Sequence, residues 1–293
     1  MSAPVRRRAR AAGFTLVELM VALAIGLSVV GALVAAWTAS TRSGRQTDAL
    51  AQLTDDATLA LAVMRQQVAQ AGFSSPHGGG AGGVLLPAFA AVRGCAARGF
   101  ADLQATMAVA DNCAPPGRGR DAPDALEVAY ESSVQAGPGS NAILGGSSGR
   151  EPLDCLGNSF AKTQDTAAGD YWLADSKFYV ADGSLMCHGP GNAAGAAVVQ
   201  NVETLQVRYG MASGAAGQAA YYDVAPAPGS PLWADVVAIR LCVQVRSAVR
   251  VLDASAAPTL GTWIDCADTA RASTDGYLRR SFATTVALQD ALP

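Results

Sequence analysis

The strongest constraint on this chain is the stretch Gly13 to Trp37, GFTLVELMVALAIGLSVVGALVAAW. From Phe14 to Trp37 it carries one charge, Glu18. A run of this length spans a bilayer as a helix, since a crossing takes roughly 20 apolar residues. Arg6, Arg7, Arg8 and Arg10 precede it. Such a basic flank keeps the preceding end in the cytoplasm and sends the following chain across. The first 13 residues lack an apolar core of their own, so they do not read as an ordinary secretory signal. An uncleaved signal anchor and a cleaved short leader both fit. Glu18 needs a further explanation. A lone carboxylate in a membrane helix costs about 2.5–3.5 kcal/mol on insertion scales, so a partner is expected to meet it.

The apolar run passes into an amphipathic pattern. Leu50, Leu53, Ala57, Leu61, Met64, Val68 and Ala71 recur at steps of three and four, which is one helix face. No proline interrupts residues 14–75, Gly72 suits a helix stop, and Pro76 follows. We read one helix from Phe14 to Ala71, with Ser43-Gly44 as a possible bend. Its first half, residues 14–37, is apolar on all sides. Its second half presents a stripe to a head formed by residues 73–293. The segmentation is therefore 1–13, 14–72 and 73–293.

The head reads as mainly antiparallel strands joined by long loops, which makes the chain α+β. Ala125–Tyr130 follows an Asp-Ala-Pro turn and reads as a strand. Asp182-Gly183 between Lys177–Ala181 and Ser184–Cys187 is a hairpin signal, because both turn positions take positive φ. Val198–Tyr209 reads as a strand or two, and Leu278–Leu288 as another. Asp235–Arg246 alternates most clearly: Val237, Ile239, Leu241, Val243 and Val245 share the face expected to bury against the helix. Residues 93–124 read as irregular, and 74–83 and 137–149 as glycine-rich loops.

Composition narrows the chemistry. Half of the residues are apolar but aromatics are only 6%, so the core is built largely from small side chains. The formal charge is −3, and losing the four leading arginines would leave the rest more acidic. Nucleic acid is therefore not expected as a general partner, since phosphate binding runs on Lys and Arg. Arg240, Arg246, Arg250, Arg271, Arg279 and Arg280 would make a basic patch only if folding gathers them. Six cysteines lie beyond the apolar run: Cys95, Cys113, Cys155, Cys187, Cys242 and Cys266. An even number outside the cytoplasm fits disulfides. Pairing in chain order, Cys95 with Cys113, Cys155 with Cys187 and Cys242 with Cys266, is one choice among many that sequence leaves open. With no CxxC and only His77 and His188, no metal site or cofactor is expected. Gly145-Gly146-Ser147-Ser148-Gly149 matches a nucleophile-elbow pattern, but no strand precedes it and Pro152 follows. His188 stands beside Cys187, whose thiolate a disulfide would remove. No catalytic residue is expected, and an anchored enzyme is the weakest reading.

Gly13-Phe14-Thr15-Leu16-Val17-Glu18-Leu19, basic before and apolar after, resembles the processing site of a type IV prepilin. Val202–Gly210, Asp235–Ser247 with Cys242, and Leu278–Leu288 are similar to PilW-type minor pilins of type IV pilus systems. Residues 75–170 carry no such likeness. The resemblance implies a type IV pilin-like fold, with a long helix packed on a β-sheet head. It implies that a prepilin peptidase cuts between Gly13 and Phe14 and methylates the new Phe14 amino group. It also implies that Glu18 pairs with the Phe14 amino group of a neighbouring subunit, since buried charges are tolerable only when paired. The implied partners are other minor pilins, the major pilin and a tip adhesin. The implied location is the inner membrane with the head in the periplasm, then the pilus tip after assembly. The large head argues for a minor rather than a major subunit. Two further readings stay open. One is the J-type pseudopilin of a type II secretion system; the other is a tip adhesin or DNA-uptake receptor.

Overall fold

The computed structural model describes residues 13, 15–74, 91–106, 112–115, 122–132, 152–164, 170–212, 219–252 and 261–288. The leader before Gly13, Phe14, His77 and the Gly145–Gly149 motif lie outside the described residues. The chain divides within its first helix into two compact units, Met1–Asp48 and Ala49–Pro293.

Helix α1 runs Leu16–Ala69, passing Gly26, Gly31 and Ser43-Gly44 without a break. Up to Asp48 its residues are exposed, apart from a half-covered Gln46. From Ala49 onward it belongs to the unit of the sheets, and there the stripe is real but turned from the one read in sequence. Leu53, Ala57, Met64, Val68 and Ala71 are buried as expected, but Leu50 is 38% exposed and Leu61 only partly covered. Ala49, Ala60, Val63 and Gln67 take the remaining buried places. Gln67 was invisible to an apolar pattern: its Oε1 accepts from the Tyr130 hydroxyl at 3.0 Å and from Ser176 Oγ at 3.2 Å, while its Nε2 is buried with no hydrogen-bond partner among the described residues. The helix closes where Gly72 adopts φ +83° and donates its N–H to Ala129 O at 2.9 Å, tying the helix end to the head.

Eleven strands follow among the described residues: β1 Val92–Cys95, β2 Ala125–Ser132, β3 Trp172–Ala181, β4 Ser184–His188, β5 Ala196–Gln200, β6 Val202–Ala212, β7 Ala219–Asp223, β8 Val236–Arg246, β9 Thr262–Ile264, β10 Ala270–Ala272 and β11 Arg279–Ala287. All described pairings are antiparallel. The first sheet is a meander, β1-β2-β3-β4-β5; the second has the order β11-β8-β6-β7; β9 and β10 form a separate hairpin. The Asp182-Gly183 turn joins β3 to β4 with φ +50° and +70°, the positive pair such a turn needs. Val198–Tyr209 resolves into two strands, split at Asn201 with φ +63°. The segment read as irregular after residue 92 begins with β1, too short to stand out in sequence.

In β8, Val237, Ile239, Leu241, Val243 and Val245 are all at most 4% exposed, whereas Arg240 faces solvent. Ile239, Leu241, Val243 and Val245 share one core with Leu53, Ala57 and Met64 of α1 and with Leu126, Val128 and Phe178 of the first sheet, whereas Val236 rather than the expected Val237 joins it at the strand start, where the β6–β8 register shifts. The helix thus covers both sheets with one stripe. Close packing shows at Gly94, where a Cβ would collide with the Tyr209 hydroxyl and lie 2.7 Å from Ala125 O.

Three disulfides pin the loops: Cys95–Cys113, Cys155–Cys187 and Cys242–Cys266. Two rest on the same local device. In Asp154-Cys155-Leu156-Gly157-Asn158, Asp154 Oδ1 accepts from the N–H groups of Leu156 and Asn158, both at 2.9 Å. In Asp265-Cys266-Ala267-Asp268-Thr269, Asp265 Oδ1 accepts from Ala267 and Thr269, again at 2.9 Å. Each turn has its fourth residue at positive φ, Gly157 at +78° and Asp268 at +57°. The aspartate orders the turn and the adjacent cysteine fastens it to a strand, β4 in one case and β8 in the other.

Candidate functional site

The start of α1 is set by its own side chains. Thr15 precedes the helix, and its Oγ1 accepts from the Glu18 N–H at 3.2 Å. Thr15 O also accepts from Leu19 N at 3.2 Å, the first turn of the ladder. This is an N-cap, and Glu18 sits three residues on, in the first helical turn. A carboxylate there is favoured by the exposed N–H groups of the helix start. Glu18 is exposed, so its charge is presented outward at the helix entrance. Gly13 is exposed as well, and a side chain added to it would meet nothing within 4 Å.

Beyond Glu18 the helix is apolar around its whole circumference. Leu16, Leu27, Leu33 and Trp37 are 75%, 72%, 64% and 69% exposed. The hydroxyls are turned inward on the backbone: Ser28 Oγ donates to Ala24 O at 2.8 Å and Thr38 Oγ1 to Ala35 O at 2.9 Å. These groups therefore do not compete for an apolar surrounding, and Glu18 is left as the one charge the segment offers. The helix is long and apolar enough to cross a membrane.

The head holds two charge clusters that sequence reading missed. Lys177 is 2% exposed, with Nζ 2.9 Å from Glu127 and 3.2 Å from Asp175. Pairing register puts Arg93, Glu127, Lys177 and His188 in one row across β1, β2, β3 and β4. Burial, and then the charge of Asp175, push the Glu127 carboxyl up to about 7 against the pull of Lys177. Burial and then Lys177 push His188 down, while its Nε2 lies 3.1 Å from Gln104 Nε2. The only sequence signal was Glu127 and Lys177 standing inside otherwise apolar strands. The second cluster centres on Arg279, which grips both Glu203 oxygens at 2.7 and 2.8 Å and both Asp275 oxygens at 2.7 Å. That double fork holds Asp275 well below the usual carboxylate range.

Cys187 is in a disulfide, so no thiolate adjoins His188. The arginines singled out in sequence do not gather into one stripe. Arg271 bonds Asp265 at 2.8 Å, Arg279 is doubly paired, and Arg246 and Arg250 lie over the Tyr277 ring. Arg240 and Arg280 remain exposed on β8 and β11.

Residues 170–290 match the family described as Type IV Pilus-assembly protein W, PilW. Residues 8–34 match the prokaryotic N-terminal methylation motif. The C-terminal part of the chain is thus similar to the PilW family, and its N-terminal part to N-methylated prepilins. The PilW match takes in β3 to β11 with the Cys242–Cys266 disulfide and the Cys187 half of the Cys155–Cys187 link, and the methylation motif takes in Gly13, Phe14 and Glu18. Between the two matches lie the second half of α1, β1, β2 and the Cys95–Cys113 link. No curated protein matches the chain. Among solved structures it is similar to the type IV-like pilin TTHA1219 from Thermus thermophilus. The likeness is 14% identity and a TM-score of 0.39, over 82% of this chain and 98% of that one.

Proposed function

We propose that the protein is a minor type IV pilin, a structural subunit that helps to start pilus assembly and stays in the tip complex. The observation that carries this is the unpartnered apolar surface of Leu16–Trp37, with Glu18 held at its entrance, inside a methylation motif. Such a surface has two apolar homes, a bilayer and a bundle of like helices. Prepilin peptidase cuts after Gly13, where exposure and the missing side chain give the enzyme room, and methylates Phe14. The new amino group lies next to the Thr15 cap. Glu18 of one subunit then pairs with that cation on a neighbour, and the pairing sets the axial register between helices. Before assembly the helix sits in the inner membrane with the head in the periplasm. Afterwards it joins other minor pilins, ahead of the major pilin. The head has a structural and recognition role rather than an enzymatic one. Disulfide-pinned loops suit a compartment outside the cytoplasm.

Mass spectrometry of the N-terminus of the protein from its own cells tests this. A chain starting at methylated Phe14 is expected. A chain that keeps the leader in cells with active prepilin peptidase overturns the reading.

A further inference from the structure

We propose that the outer face of the second sheet carries a binding groove for a small oxyanion, a carboxylate or phosphate, held between Arg208 and Arg240. The groove encloses about 400 Å³, within the range of small-ligand sites. Its floor is the solvent face of β6, β8 and β11, and its wall is the Cys266 turn that the disulfide fastens to Cys242. Arg208 and Arg240 are directly opposite each other in the β6–β8 register. Like charges so placed repel and destabilise a sheet unless something lies between them. Among the described residues neither guanidinium has an ion pair. Arg208 acts at a distance on the buried Asp124, whose oxygens already accept from the N–H groups of Ala97 and Val207. This contrasts with Arg271 and Arg279 on the same side of the head, both of which have carboxylate partners.

At the other end of the groove floor, opposite Gln244, Ser281 Oγ is buried with no hydrogen-bond partner among the described residues, which leaves a polar group for the remainder of a ligand larger than the bare ion. Asp265, on the wall, is occupied by Arg271 and by the backbone of its own turn. Asp268 stands at the rim and opposes an anion, so the charge must seat at the arginine end. There two planar forks match a carboxylate or phosphate in bidentate fashion. Tyr222 and Ile264 flank the groove with apolar surface. That surface favours an oxyanion carried on a ring, as in an acidic sugar, over the bare ion.

The test is calorimetric titration of the full-length protein in neutral detergent with inorganic phosphate, a galacturonate oligomer and the matching neutral galactose oligomer. Saturable binding of an anion is expected, weakened by added salt, with no binding of the neutral sugar. Tighter galacturonate than phosphate assigns the ligand as an acidic saccharide; equal affinities assign a free oxyanion. Arg240→Gln and Arg208→Gln are each expected to weaken binding by about tenfold or more. Arg280→Gln, outside the groove, is expected to leave it unchanged. The readout does not depend on pilus assembly, so it stands or falls apart from the minor-pilin reading. Absence of saturable anion binding overturns the proposal, as does binding that survives the Arg208→Gln/Arg240→Gln double variant.

Discussion

Three side chains put their effects within reach of single substitutions. Glu18 is held by the helix start, not by the head, so its loss leaves the fold alone. Glu18→Ala is expected to insert into membranes and be processed normally, yet to fall at least several-fold in sheared filaments. Unchanged recovery on immunoblots of that fraction would exclude the pairing role. Glu127 acts through its ionisation. Its folded value, near 7, is above its ordinary 4.5. The folded state therefore holds a proton that the unfolded chain has lost, and this group's contribution to stability falls as pH rises from about 4.5 to 7. Glu127→Gln removes that loss. Its stability relative to the parent should climb across this window by on the order of 1–3 kcal/mol in denaturant titrations. His188, pushed down, acts in the opposite sense and cancels between the two proteins. Arg279 is 11% exposed and doubly forked. Arg279→Lys keeps the charge but loses the planar match, and should cost about 1–3 kcal/mol at neutral pH. The depressed Asp275 carboxyl stabilises above the usual carboxylate range, and that part fades as pH falls through it.

At the level of elements, the Asp-Cys turn is the recurring unit. An aspartate caps the turn, a positive φ closes it, and the cysteine nails it to a sheet. Cys242 and Cys266 are 24 residues apart. Replacing both by serine frees the β9–β10 hairpin in the unfolded chain more than in the folded one, and is expected to cost about 2–4 kcal/mol by thermal or denaturant unfolding. The Asp265 turn should persist as local structure, because its hydrogen bonds do not need the sulfur. An aspartate directly before a cysteine was present in the sequence at both places, but the shared turn shows only when the two backbones are compared. Helix α1 illustrates a different limit. Its extent was readable to within two residues at each end, since no proline or charge pair breaks it. Its buried stripe was read slightly off axis: Gln67 is buried with its Oε1 accepting from Tyr130 and Ser176, and Leu50 is left exposed.

For the whole molecule, the two halves of one helix have different surroundings. Residues from Ala49 onward share a core with two sheets, while Leu16–Trp37 remains apolar and uncovered. Apolar area of this size does not stay in water. The full-length protein should be monodisperse in detergent and associate once detergent is removed, and analytical ultracentrifugation reads both states. A monomer that persists without detergent would show that another surface covers the segment.

Sequence alone determined what depends on neighbours along the chain. The apolar run, the lone Glu18, the Asp182-Gly183 hairpin and the alternation of β8 all follow from local periodicity, and each is visible without folding. Order along the chain also matched the disulfide pairs, although sequence offered no reason to exclude the others. Tertiary structure decided what depends on residues far apart. Glu127 meets Lys177 across 50 positions, Arg279 meets Glu203 from another strand, and Arg208 faces Arg240 across the β6–β8 register. The six arginines that looked alike in sequence divided into paired, stacked and free ones. Charge is a property of a residue, but whether that charge is neutralised depends on which strand lies beside it.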